Sequence, residues 1–314
     1  MSVKISYSAN EKYNTSPRSW YLHYQLRLRE EKVGSALPFG NAVDNALNVL
    51  IEKKFDPTID KDPYEVFDYC WKHTTINNKK VNLMKSDLIR YSKADLDEDL
   101  IKDEESQKLL KTAKAEWVSL RKKGHMMIDA YTEQVLPHLS ELISVQKYIK
   151  IENDDGDSII GYMDLIARWK VNDEVDHCWD HLKKYDGKLI IFDNKTSSIK
   201  YKLDSVLTSR QLATYSEAPN LPEHDYEGYI VLPKKFRKKK LPKVPIEIII
   251  DKVDHELVDS MFEEYGNTIQ GIKLGQFPCT GCEKSIWGCP YKKYCESGGQ
   301  DTTGLVYVPR GKDG

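Results

Sequence analysis

The sequence predicts an α/β fold, with a helical first half laid against a central sheet supplied by the second. Three observations predict it. Before Pro137, apolar residues recur three, four and seven apart, as in Val43, Ala46, Leu47 and Leu50 and again in Trp117, Leu120, Met127, Ile128, Tyr131 and Val135, which is helical spacing. After Pro137, the runs ISVQKYIKI, SIIGYMDLIARWK, KLIIFDNKTS, YEGYIVL and VPIEIII are dense in Ile, Val, Tyr and Leu. NDDGD, KKYDG and proline-containing turns bound them, which is strand composition with turn punctuation. Two helical stretches, 204–218 and 254–273, interleave with the strands and supply covering layers.

Taken in order, residues 1–32 read as a polar, aromatic-rich helical opening with Tyr13, Trp20, Tyr21 and Tyr24. GSALPFGNAVDNALNVLIEKKF follows as a helix, and Pro57 and Pro63 bracket a turn. Residues 64–140 read as mostly helical. Within them, 95–105 carry seven acids and one Lys, which is expected to be a solvated helix face or loop. The helix over 254–273 should end at Gly271 or Gly275. The last stretch, 276–314, has four cysteines, many glycines and little periodicity, and reads as a metal-organised tail. The organisation expected is a helical region over 1–140, a core over 141–275 and a tail over 276–314, integrated as one domain. A two-domain arrangement breaking near 140 is the alternative.

Composition removes several function classes. The 314 residues are 40% hydrophobic and 31% charged, with 47 basic against 49 acidic residues for a net −2. A uniformly basic nucleic-acid coat is excluded, though a local basic track is not. No run of 18 apolar residues offers a membrane-spanning helix, and MSVKISYSANEKYN lacks the apolar centre of a signal peptide. The expectation is a cytoplasmic protein without membrane contact, whose six cysteines serve as metal ligands or free thiols. No GxxxxGK[ST] loop is present, so strand unwinding is excluded. The eight histidines show no HExxH motif, so a zinc-protease site is unsupported.

Asp164, Asp193 and Lys195 carry the chemistry. Asp193 and Lys195 close the apolar run LIIF, and strand residues two apart point the same way. Asn194 points to the other side, but its backbone carbonyl can face the same cleft. A neighbouring strand bearing Asp164 would add a second carboxylate. Carboxylate oxygens suit hard cations such as Mg²⁺ or Mn²⁺. Such a metal polarises a phosphodiester and acidifies an attacking water, while a lysine positions that water or stabilises developing charge. An Asp-x-Lys pair at a strand end is common by itself, so its surroundings decide. Downstream, LDSVLTSRQLATYSEAP places Gln211 and Tyr215 four apart on one helix face. Asp204 and Ser205 are its candidate N-caps and Pro219 its stop.

In this order and spacing, GYMD, DNK and QLATY resemble the GxxD, (D/E)xK and QxxxY motifs of the RecB-type branch of the PD-(D/E)XK nuclease superfamily. They match at Gly161, Asp164, Asp193, Lys195, Gln211 and Tyr215. The resemblance implies a restriction-endonuclease-like core, a central mixed sheet flanked by helices. It also implies acids on the metal, a catalytic lysine, and Gln and Tyr supporting the site and the DNA backbone. SYSANEKYNTSPRSWYLHYQL resembles the family's opening, with Ser16-Pro17 where many members have Cys-Pro. FGNAVDNAL resembles the family's GxxxH helix, with Asp44 in place of the His after Gly40. Aspartate is also a hard oxygen ligand, so Asp44 joins Asp164, Asp193 and the Asn194 carbonyl as a candidate metal ligand.

The resemblance covers most of 6–296 and is greatest to phage-type exonucleases and CRISPR-associated RecB-like nucleases. It implies a Mg²⁺- or Mn²⁺-dependent DNA exonuclease acting on single-stranded or duplex ends, with 5′→3′ polarity favoured, in end processing, recombination or phage replication. The alternatives are a structure-specific endonuclease or CRISPR spacer processor and, from another class, a non-catalytic nucleic-acid-binding module. The intact Asp164, Asp193 and Lys195 argue against the last.

Two further segments bear on partners and cofactors. PKKFRKKKLPK at 233–243 carries seven Lys or Arg in eleven residues. It lies between strand patterns, so Lys234, Lys235, Arg237, Lys238, Lys239 and Lys240 form a candidate phosphate-contacting hairpin loop. A merely solvated loop is the alternative. Trp20 and Tyr24 could stack bases, although a tryptophan at helical spacing is more often core. CTGCEKSIWGCPYKKYC places Cys279, Cys282, Cys289 and Cys295 as C-x2-C-x6-C-x5-C, suiting Zn²⁺ or an iron–sulfur cluster. Cys70 and Cys178 stand alone and read as ordinary core or loop residues. The resemblance favours a 4Fe-4S cluster, which in several relatives ties the tail to the N-terminal helix through one early Cys and three late ones. Here Ser16 holds the early place, and the fourth tail cysteine would complete the set locally.

Overall fold

A computed structural model describes residues 2–171, 177–219, 221, 223–234, 244–280 and 288–309, with the side chains of 177–180 excepted. Its centre is a six-stranded mixed sheet. The strands are β1 (Lys4–Ser6), β2 (Leu139–Glu152), β3 (Ser158–Trp169), β4 (Leu189–Ser197), β5 (Tyr226–Pro233) and β6 (Glu247–Asp251). β3 organises them. One of its edges pairs antiparallel with β2 along the whole length. Its other edge is shared: β1 runs parallel to Ser158–Ile160, and β4 runs antiparallel to Leu165–Arg168. The interval from Gly161 to Asp164 therefore opens between two partners. β4 continues parallel to β5, and β5 antiparallel to β6.

Helices cover both faces, which is why the inner strands read as continuous apolar runs rather than alternating ones. On one face lie α2 (Ala36–Phe55), α3 (Pro63–Lys72) and α4 (Ala115–Gln134), packed on Leu165, Ala167, Ile190, Phe192, Ile230 and Leu232. On the other lie α1 (Tyr7–Thr15), α5 (Arg210–Ser216) and α6 (His255–Lys273), packed on Ile149, Met163, Ile191, Tyr229 and Val231. In α2 the predicted stripe is buried at Val43, Ala46 and Leu47 and partly buried at Leu50, and Phe39 and Ala42 extend it. The α6 helix begins at the Asp254 N-cap, whose carboxylate accepts from the Glu256 amide, and Gly275 follows it at φ +69°.

Three expectations change. The stretch 64–140 is not helical throughout: between α3 (Pro63–Lys72) and α4 (Ala115–Gln134), His73–Ile76 and Lys79–Asn82 form an antiparallel hairpin. Asn77 and Asn78 turn it at φ +50° and +62°, a left-handed pair that asparagine tolerates. The helix carrying Gln211 does not start at Asp204 or Ser205, which lie in a separate short turn. Its cap is Ser209, whose hydroxyl accepts from the Leu212 amide. The acidic run is not simply solvated. Asp95 is buried and accepts from the Ser35 hydroxyl at 2.6 Å and the Ser92 amide at 2.7 Å, while Asp97 and Asp103 cap helical turns.

The N-terminal aromatic segment clasps the tail. Trp20 is buried and stacks on Phe277 with ring centroids 5.7 Å apart, and Tyr21 stacks on the same ring at 4.7 Å. Trp20 is thus core. Tyr24 lies against it, under the Arg29 guanidinium. Tyr13 donates to the Gln276 carbonyl at 2.7 Å, and Leu305–Tyr307 pairs antiparallel with Leu28–Glu30. Among the described residues, no helix is long and apolar enough to cross a membrane.

Candidate functional site

The gap in the β3 edge becomes a cleft of about 290 Å³, lined by Asp44, Asp164, Asp193, Asn194, Lys195 and Gln211 among others. Met163 packs in the α1–α5–α6 layer but Leu165 in the α2–α3–α4 layer. Residues two apart normally share a face, so the alternation breaks at Asp164 and turns its carboxylate toward α2. There Asp164 Oδ2 accepts from the Asn194 amide at 2.9 Å, across the gap. Asp44 arrives from α2. That helix can lie close to β4 because Gly40 has no side chain: a Cβ there would sit 3.3 Å from Thr196 Oγ1.

Asp193 and Lys195 project together, as strand geometry predicts. Lys195 Nζ stands 2.6 Å from Asp193 Oδ2, a close ion pair without the angles of a hydrogen bond. Nζ also donates to Gln211 Oε1 at 3.0 Å. The amide of Gln211 donates in turn to Asp193 Oδ1 at 3.1 Å and to the Tyr215 hydroxyl at 2.9 Å. Gln211 therefore fixes the pair from below, one helical turn from Tyr215. Gly161 lies against Tyr215, where a Cβ would come into van der Waals contact with the ring at 3.4 Å. The Asn194 side chain is buried without a hydrogen-bond partner among the described residues.

The electrostatics are those of crowded carboxylates. Burial, then the charges of Asp193 and Asp44, push Asp164 well above the usual carboxylate range. Burial, then Asp193, push Asp44 up to about 6. For Lys195, burial pulls the pKa down, but Asp193 outweighs it and holds the ammonium above its ordinary value. Burial likewise raises the Tyr215 phenol. Asp44 Oδ1 is buried with no hydrogen-bond partner among the described residues. Among those residues, no three His, Cys, Asp or Glu side chains already stand as a closed metal cage. The donor set nonetheless fits a hard divalent cation. It offers only oxygens, they repel one another, and one of them lacks a partner.

Sequence reasoning missed Gln146. Its side-chain amide donates to Asp44 Oδ2 at 3.0 Å and to Asp164 Oδ1 at 3.3 Å, joining the two carboxylates. It sits on β2 opposite the break in β3, at φ +48°, a left-handed conformation that costs a non-glycine residue about 1–3 kcal/mol. Nothing in ISVQKYIKI marks it, because only its register against Asp164 gives it the role.

The other candidates are placed differently. Lys234 is 7% exposed, with its ammonium 5.2 Å from the Phe39 ring centroid. Burial lowers its pKa. Lys235, Arg237, Lys238, Lys239 and Lys240 lie outside the described residues, as does Cys282. Cys279 is exposed, and Cys289 and Cys295 are partly buried. Cys289 Sγ lies 3.8 Å from the Ser19 hydroxyl. No cysteine cluster is formed among the described residues.

Comparison with curated proteins finds no match. Among solved structures, one titled "Crystal structure of SSO0001" is similar at 12% identity, over 86% of this chain and 87% of that one, with a TM-score of 0.30. A family model described as the PD-(D/E)XK nuclease superfamily matches residues 4–296, nearly the whole chain and all of the cleft. The chain belongs to the PD-(D/E)XK nuclease superfamily.

Proposed function

We propose that the chain is a divalent-metal-dependent DNA exonuclease that hydrolyses phosphodiester bonds at strand ends, with 5′→3′ polarity. The observation that carries the hydrolytic part is the Asp193–Lys195–Gln211 constellation facing Asp44 and Asp164 across one cleft. Asp44, Asp164 and Asp193, with the Asn194 carbonyl, would hold Mg²⁺ or Mn²⁺. Such a cation supplies charge for the scissile phosphate and acidifies a water. Lys195 stays protonated at working pH, so it acts as a fixed positive charge that positions the nucleophile and meets developing negative charge. Gln211 aims that ammonium, and the neutral Tyr215 phenol steadies Gln211. The exonuclease assignment rests on the motif resemblance; a structure-specific endonuclease or spacer processor is the reading it displaces.

The test is digestion of end-labelled linear and covalently closed circular DNA, with Mg²⁺, Mn²⁺ or chelator. Metal-dependent release of nucleotides from linear DNA alone is expected. Cleavage of circles would move the assignment to an endonuclease, and binding without cleavage would make the chain a nucleic-acid-binding module.

For the tail, Cys279, Cys282, Cys289 and Cys295 would hold a 4Fe-4S cluster, or Zn²⁺, at the clasp with the N-terminal segment. The Cys289–Ser19 contact supports that location. Iron, sulfide and zinc content per anaerobically purified chain decides it: zinc without iron reverses the preference, and neither metal removes the site.

A further inference from the structure

A second cavity, of about 370 Å³, adjoins the cleft and shares Leu37 and Asn41 of α2 with it as a common wall. Its lining includes Lys12, His23, Arg29 and Tyr291. Lys12 and Arg29 are partly buried, and neither makes an ion pair or a side-chain hydrogen bond among the described residues. Burial lowers the pKa of both. The acid in the lining, Glu30, is already engaged by Arg90 at 2.8 Å. Arg27 stands near enough to add its charge: burial, then Arg29, Lys12 and Arg27, hold His23 down at about 3. The imidazole is therefore neutral, with its Nδ1 3.2 Å from the Tyr291 hydroxyl.

Partly desolvated cations cost stability; Glu30 and Cys289 offset part of that cost for Lys12, and an anion seated between Lys12 and Arg29 would offset more. Arg presents a planar fork of donors and Lys a compact ammonium, a pairing suited to phosphate oxygens. Between the two cavities stands Leu37, 64% exposed, an apolar ridge against which a sugar or base can rest. We infer that the Lys12–Arg29 cavity is a phosphate-binding subsite for the nucleic-acid strand that occupies the cleft, one phosphate seated there while another lies at Asp193 and Lys195. This rests on reading the cleft as a phosphodiesterase site.

The experiment is equilibrium binding of a fluorescent single-stranded oligonucleotide to the full chain in chelator, across a salt series. Wild type is compared with Lys12→Gln, Arg29→Gln and the double variant. Lys108→Gln, on the helix Glu104–Leu110 and outside the lining of both cavities, is the control. The double variant should bind at least tenfold more weakly, with a salt slope smaller by about 1, and the control should match wild type. Running 5′-phosphorylated and 5′-hydroxyl oligonucleotides separates the source of the phosphate. An equal loss for both assigns the cavity to an internal phosphate, and a loss confined to the phosphorylated strand assigns it to the end.

Wild-type affinity and slope in the double variant would overturn the inference; if that variant does not fold, Lys12→Gln is read the same way. Loss of binding in the double variant of a chain that never cleaves DNA sinks the nuclease reading and keeps the phosphate site. Cleavage with unchanged binding does the reverse.

Discussion

The cleft and the clasp are built on opposite economies. In the cleft, three acids are crowded with a lysine and two amides, and their mutual repulsion is held in place by the surrounding fold. In the clasp, Trp20, Tyr21 and Phe277 stack as uncharged rings, contacts that favour the folded state. The difference teaches where each can be altered. Changes in the cleft should cost chemistry and can raise stability. Changes in the clasp should cost stability and leave the chemistry of folded molecules intact.

The largest effect expected is on rate. Lys195→Ala should reduce single-turnover cleavage by about 10³-fold while DNA binding is retained, since the ammonium acts on charge that appears only in the transition state. Cleavage near wild type would take the constellation out of the chemistry. Next, Trp20→Ala should lower unfolding stability by about 3–5 kcal/mol, seen in denaturant melts, while the rise in Tm on adding Mn²⁺ stays as in wild type. A lost metal response would show that the two regions are coupled.

Asp44→Asn sharpens the contrast by gaining stability. The folded pKa of Asp44 is raised from 3.8 to about 6. Its stabilising contribution is present below the unfolded value and is lost as pH rises through about 6. In chelator, the variant should match wild type near pH 4 and exceed it by about 2–3 kcal/mol at pH 7, and should respond less to Mn²⁺. A pH-independent difference would break the argument. The smallest effect is Ser209→Ala. Losing the α5 cap should cost about 1 kcal/mol and slow cleavage a few-fold, because that helix carries Gln211. An unchanged rate would mean that Gln211 is aimed by its own hydrogen bonds alone.

What was legible follows from range. Asp193 with Lys195, and Gln211 with Tyr215, are two and four positions apart, so strand and helix periodicity place each pair without knowledge of the fold. The five principal strands and α6 were legible because their apolar runs are long and their boundaries carry turn residues or caps. Gln146 was not, because its role depends on pairing register and an unusual backbone conformation opposite a break in alternation. The hairpin at 73–82 was lost inside a stretch that reads as helical on average, although Asn77-Asn78 was its local signal. β1 and the strands Leu28–Glu30 and Leu305–Tyr307 are three residues each, too short for any period, and distant partners alone make them strands.

Distance in sequence gives the clasp a history during synthesis. Tyr291 donates to the Leu28 carbonyl from 263 positions away. At about 5–20 residues per second on the ribosome, the aromatic segment must wait roughly 15–50 s for the tail that covers it. Helices α2 to α4 are consecutive in the chain and can begin to pack as they emerge. Trp20 and Tyr21 remain without Phe277 throughout that interval. The nascent chain therefore keeps these two rings uncovered until Phe277 has been made.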